Sequence, residues 1–235
     1  MRLLVSVRDA REAEAAIGAG ADLVDLKDPG AGSLGALAPA AIRAILEVVA
    51  GRRPVSAVTG DLAPEPARLR AAAGRIAATG VDFVKVGLWP GPRRAEAVSR
   101  LGAEFAGRTR LIGVLLADAD PDPGLLPLMA AAGFAGAMLD CAHKGERLPE
   151  RLGPARLAGF VDAARGHGLT AGLAGSLALA DIARLAPIRP DILGFRGGLC
   201  VAGERTGALD PAAVRRAAEA VEAARRAGAA PAPAH

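Results

Sequence analysis

Of the 29 basic residues in this chain, three are lysines, Lys27, Lys85 and Lys144, and the other 26 are arginines. Where any cation suffices, Arg is used, so the positions that stay lysine ask for something a guanidinium cannot do. Arginine keeps its proton in a protein, whereas lysine can become a neutral amine that attacks a carbonyl. The three lysines lie 58 and 59 residues apart, each after an apolar run. Residue type and spacing together point to amine chemistry on a repeating scaffold.

The elements that must position these amines alternate along the whole chain. Short apolar strands are expected at 3–7, 22–27, 55–59, 82–87, 110–116, 135–140, 169–175 and 191–197. Amphipathic Ala/Arg/Glu helices, with apolar residues at three- and four-residue steps, are expected near 9–19, 39–50, 65–79, 92–106, 123–132, 154–167, 177–186 and 210–227. Eight consecutive βα units without a long insertion favour a single-domain α/β fold, a closed TIM (β/α)8 barrel over residues 1–227, rather than an open doubly wound sheet. The remaining residues, 228–235, read as a disordered tail. Two βα units span one lysine interval, which puts Lys27, Lys85 and Lys144 at the ends of strands 2, 4 and 6. Strand 8 ends in Arg196, a fourth cation for the same barrel mouth.

Composition narrows the function classes. The formal net charge is +4, but no basic run exceeds two residues and no aromatic side chain is interleaved with arginines, which argues against nucleic acid. Cys141 and Cys200 have no CxxC spacing, so neither a zinc site nor a disulfide scaffold is expected. No apolar run reaches a membrane span or a signal-peptide core, so a soluble, cytoplasmic, thiol-reduced protein is expected. Ala-rich helix faces allow homo-oligomerisation without specifying it.

Asp25 and Lys27 are two apart on one strand and therefore share a face. A lysine ringed by other cations has its charged form disfavoured, while an adjacent carboxylate pulls the other way. Such a pair can move protons around a carbinolamine, or it can be a structural salt bridge. Three lysines at one mouth favour catalysis. Asp140 closes strand 6, and Lys144 follows in the loop Cys141–Gly145. His143 reads as a surface histidine, His167 as a helix C-cap and Cys141 as a small buried side chain.

The opposite side of the mouth suits an anion. Strand 7 runs into Gly175-Ser176 and strand 8 into Arg196-Gly197-Gly198, with Gly203–Gly207 beyond. Glycine turns after strands 7 and 8 are the habitual phosphate site of this fold, and Ser176 is expected to open a helix whose N–H groups add donors. The glycine-rich loop 27–35 after strand 2 is expected to be a lid or second anion cradle, with Thr59-Gly60-Asp61 on the same rim.

DLKDPGAGSLGA (25–36), FVKVGLW (83–89), MLDCAHKGE (138–146), LAGSL (173–177) and GFRGGLC (194–200) together resemble the (5-formylfuran-3-yl)methyl phosphate synthase family, in order and from residue 1 to about 227. The resemblance implies a TIM barrel that condenses two glyceraldehyde 3-phosphate molecules, with loss of water and one phosphate, into a furan precursor of methanofuran-type carriers. It implies Lys27 as the Schiff-base lysine, Lys85 as the proton acceptor, and Asp25, Asp140 and Lys144 in support. No metal or redox cofactor is implied, because the amine itself is the electron sink. The Ala117–Pro121 loop departs from the family pattern. Another class I aldolase-like barrel, a non-covalent sugar-phosphate barrel and a non-catalytic phosphate-metabolite sensor are the alternative readings. The full DxKxxD pattern of the orotidine monophosphate decarboxylase group is missing, since Gly30 stands where its second Asp would be.

Overall fold

Helix starts and strand starts are marked by the same few residue types. Asp9 caps the first helix by accepting from Glu12 N at 2.8 Å, and Pro39 and Pro66 stand in the first turns of later helices, where the missing N–H costs nothing. Three aspartates just before strands, Asp22, Asp82 and Asp191, accept the N–H groups of Leu3, Val55 and Ala171 on the preceding strand at 2.7, 2.8 and 2.8 Å.

A computed structural model describes residues 1–119, 121–143 and 145–229. The elements are β1 (Arg2–Val7), α1 (Ala10–Gly18), β2 (Leu23–Leu26), α2 (Pro39–Val49), β3 (Val55–Val58), α3 (Pro66–Ala77), β4 (Phe83–Gly87) and α4 (Arg94–Phe105). They continue as β5 (Arg110–Leu116), α5 (Leu125–Ala131), β6 (Gly136–Asp140), α6 (Leu148–Gly166), β7 (Thr170–Leu173), α7 (Asp181–Leu185), β8 (Ile192–Phe195) and α8 (Pro211–Ala229). All neighbouring strands are parallel and β8 pairs back onto β1, so the sheet closes into an eight-stranded barrel. The expected TIM barrel is the fold observed.

Strand residues alternate between two cores. Outward residues such as Leu3, Val5, Val24, Val84 and Leu193 pack against the helices in the larger core, with Ile42, Leu69 and Leu101 among their partners. Inward residues, including Leu4, Leu23, Val58, Ile112 and Met138, fill the barrel. Glycines on β7 and β8 make room for Met138: a Cβ on Gly194 would stand 3.0 Å from its Cε.

Most elements shift by one or two residues at their ends, and three helices differ in ways that matter for the site or the tail. α6 starts at Leu148, because a first helical turn precedes Gly153, whose φ of 71° breaks the run before Pro154. α7 is short and starts at Asp181, so residues 177–178 are irregular and a turn at 179–180 leads into the helix. α8 runs on through Ala229, taking in Gly228 and Ala229 from the expected tail, and residues 230–235 lie outside the described part. Among the described residues, no helix is long and apolar enough to cross a membrane.

Candidate active site

β2 carries Leu23 and Asp25 on its inward face, Lys27 follows its last residue, and the barrel register sets Asp25 beside Ser6 on β1 and Ser56 on β3. Asp25 is fully buried. Its carboxylate accepts from Ser6 Oγ at 3.0 Å, from Ser56 Oγ at 2.6 Å and from Lys85 Nζ at 3.1 Å. Burial alone would push this carboxyl up. The charges of Lys85 and then Lys27, with the hydrogen bonds from Ser56 and Lys85, outweigh burial and hold it below the ordinary carboxylate value. The Lys85 side chain is 4% exposed, so its amino group faces the Asp25 carboxylate rather than bulk water.

Ser6 and Ser56 escape the sequence reading, although a signal exists: each is a polar residue at inward parity inside an apolar strand. Their hydroxyls keep the Asp25 oxygens directed between β1 and β4. Ser56→Ala is expected to cost about 1–3 kcal/mol, because a bond to a buried charge is lost without replacement. Urea denaturation at neutral pH measures this; a change below about 0.5 kcal/mol would show the hydroxyl to be dispensable.

Above Asp25 lies a cavity of about 340 Å³, at the small end of ligand sites. Asp25, Lys27, Lys85 and Asp140 line one side; Gly175, Ser176, Gly197 and Gly198 line the other. Lys27 is 6% and Asp140 is 3% exposed, so both meet the cavity rather than bulk solvent. Asp140 also accepts from Cys141 N at 2.7 Å. Lys144, the third lysine, lies outside the described residues. The loop leading to it is held from below by Asp118, which accepts from Ala142 N at 2.7 Å and His143 N at 2.6 Å. Burial would raise the Asp118 carboxyl, but these backbone donors prevail and lower it. The His143 ring stands 84% exposed beside Asp118, and His167 caps α6, both as read from sequence. Cys141 is buried, also as read.

Two sequence expectations change in detail. Ser176 lines the cavity but opens no helix: it sits in the left-handed region (φ 53°) directly after Gly175 (φ 109°), in a bend between β7 and α7. A Cβ on Gly175 would come 2.8 Å from Cys141 Sγ, so only glycine lets this bend approach β6. The N–H groups of Gly175, Ser176, Gly197 and Gly198 have no acceptor among the described residues, which leaves four donors for an anion. Arg196 also lines the cavity, yet its five N–H donors are used internally. Nε donates to Arg205 O at 2.8 Å, Nη1 to Ser6 O at 3.2 Å and to Glu12, and Nη2 to Glu12 Oε1 at 3.2 Å and Gly207 O at 2.8 Å. Its charge is met by Glu12, so it shapes the anion side rather than offering a free cation.

The rim over β3 and β4 is apolar. Leu34, from the loop after β2, and Trp89, just past β4, pack over Gly87, where a Cβ would lie 2.7 Å from Leu34 Cδ1. Asp61 pins that loop by accepting from Ser33 Oγ at 3.1 Å and Leu34 N at 3.2 Å. Loop 27–35 therefore stands packed as a plug on this side, and Asp61 is its anchor.

A family model described as 4-HFC-P synthase matches residues 3–218. The chain belongs to this synthase family. A (5-formylfuran-3-yl)methyl phosphate synthase of Methanopyrus kandleri is 41% identical over 94% of this chain and 98% of its own length. One from Methanocaldococcus jannaschii is 38% identical over 93% of this chain and 99% of its own. A Methylorubrum extorquens protein whose name proposes the same activity is 50% identical over 97% of this chain and 95% of its own. Among solved structures, a 3-hexulose-6-phosphate synthase from Salmonella typhimurium aligns with a TM-score of 0.66 at 14% identity, covering 95% of this chain and 100% of the other. A phosphoribosyl anthranilate isomerase from Thermus thermophilus gives 0.65 at 18%, covering 95% and 99%. At those identities the structures bear on the barrel alone.

Proposed function

We propose that this synthase condenses two molecules of glyceraldehyde 3-phosphate, through a Schiff base on Lys27, into a furan aldehyde phosphate on the way to a methanofuran-type carrier. The observation that carries the reading is one cavity with Lys27, Lys85, Asp25 and Asp140 on one side and four uncommitted backbone donors on the other. Amines and carboxylates suit carbonyl chemistry, and clustered N–H groups suit a phosphate.

As the free amine, Lys27 attacks the aldehyde of one triose phosphate and water leaves, giving an iminium. The iminium acidifies the neighbouring carbon; Lys85, having passed its own proton to the adjacent Asp25 carboxylate, takes a proton from that carbon as a neutral amine and an enamine forms. The enamine carbon adds to the carbonyl of the second triose phosphate. Ring closure, loss of two waters, elimination of one phosphate and hydrolytic release from Lys27, which returns the water lost on forming the iminium, then yield the furan with no net change in oxidation state. Asp25 orients Lys85, while Asp140 and Lys144 move protons and steady the leaving phosphate. The turns at Gly175-Ser176 and Gly197-Gly198 hold the phosphate that stays. By class the activity is a carbon–oxygen lyase acting on phosphates.

Incubation with glyceraldehyde 3-phosphate alone is the direct test. Furan absorbance and inorganic phosphate should rise together, one phosphate per furan. Phosphate release without a furan chromophore, or no reaction, would refute the proposal.

A further inference from the structure

The anion side of the cavity has backbone donors but, with Arg196 committed to Glu12, it needs a cation from elsewhere. Arg205 lines the same cavity, close to the Gly197 turn: a Cβ on Gly197 would stand 3.5 Å from Arg205 Cβ. One guanidinium nitrogen, Nη2, donates to Gly32 O at 2.8 Å, across the mouth in the loop after β2. Among the described residues no other acceptor holds this guanidinium, and such a group carries five donors in a planar fork that matches phosphate oxygens. The Gly32 carbonyl is itself firmly placed, because φ is 107° there and a Cβ would come 2.1 Å from Asp61 Oδ2. Glu204 lines the cavity too, but it is exposed, where water and salt screen its repulsion of an anion.

We infer that Arg205 is a phosphate-binding residue of this site, and that its contact with Gly32 ties the loop after β2 to the bound phosphate. The inference deepens the triose phosphate reading above and depends on it for the ligand's identity. One guanidinium would then grip the phosphate that stays on the substrate and steady the segment that begins at Lys27. Phosphate binding would then add to the hold that Asp61 already has on the nucleophile's loop.

Inorganic phosphate is the probe, titrated calorimetrically into wild type, Arg205→Gln and Arg205→Lys. Loss of a charge-assisted fork should weaken phosphate binding about tenfold or more in Arg205→Gln. Arg205→Lys should recover part of that, as a point charge without the fork. Phosphate should also slow amide exchange across residues 28–36 in wild type and not in Arg205→Gln, which a residue that merely props the mouth would not produce. With triose phosphate, the Arg205→Gln loss should appear mainly in KM, since the phosphate is held alike in ground and transition states. An isotherm within about twofold of wild type for a folded Arg205→Gln overturns the inference, as does absence of phosphate binding in wild type. If Arg205→Gln fails to fold, Arg205→Lys with wild-type affinity and wild-type exchange overturns it instead. Failure of the triose phosphate reading looks different: no furan forms, while the phosphate isotherm still judges Arg205.

Discussion

Lys27→Arg should lose turnover by on the order of 10⁴- to 10⁶-fold while leaving the barrel intact, the range seen when a covalent nucleophile is removed. The substitution keeps the charge beside Asp25 and fills similar volume, but a guanidinium does not give up its proton to attack a carbonyl. Borohydride added during incubation with the triose phosphate should reduce the iminium and fix the substrate carbons to the chain. Peptide mass mapping should then place the adduct on the segment holding Lys27 in wild type and find none in Lys27→Arg. A label on Lys85, or full activity in Lys27→Arg, would overturn the assignment. Complete insensitivity to borohydride with substrate present would instead favour a non-covalent, electrostatic reaction in the same cavity.

The largest stability effect is expected at Asp25. Asn in its place keeps the shape and the serine contacts but removes the counter-charge of Lys85, which is buried with a side chain only 4% exposed. Leaving one member of a buried pair behind costs about 3–5 kcal/mol. Adding Lys85→Met should return most of that, because the orphaned charge goes too, while activity stays lost. The pH dependence has a defined sign. The folded carboxyl titrates below its ordinary 3.8, so its ionised form stabilises the fold at and above that value. The contribution is lost as pH falls through the lower folded value. Wild type should therefore lose more stability between pH 6 and pH 2 than Asp25→Asn does, read as the shift in urea midpoint. Equal acid limbs for the two proteins would contradict the Asp25 ion pair.

The barrel and one side of its cavity are legible in the sequence because both depend on local periodicity. Alternation along VDLK and FVKV sends Asp25, Lys27 and Lys85 inward, and the cavity duly has all three on its wall. Ser6 and Ser56 obey the same parity and could have been found by asking which polar residues interrupt apolar strands. Arg196 is different. Its parity is inward, but its partner Glu12 is 184 residues away on α1, and nothing in FRGG announces that pairing. The bend at Ser176 is likewise set by β6, since Gly175 must pass Cys141, and local pattern cannot report a neighbour supplied by the fold. The break in α6 was partly visible in Gly153-Pro154, where the helical turn before it was hidden by the residues that end it.

The Arg196–Glu12 pair spans the place where the last strand meets the first, and this has a consequence for how the site comes into being. Asp25 and its partners Ser6, Ser56 and Lys85 all lie in the first 85 residues and can meet as soon as the early strands associate. The anion side is made from residues 175–205 and reaches its position only once β8 docks on β1. Contacts of such long sequence separation are the slowest to form. During synthesis from the N-terminus the amine half is therefore assembled first and stands unenclosed until the ring shuts. Glyceraldehyde 3-phosphate should protect the finished chain from unfolding but gain no hold on a chain truncated before β8.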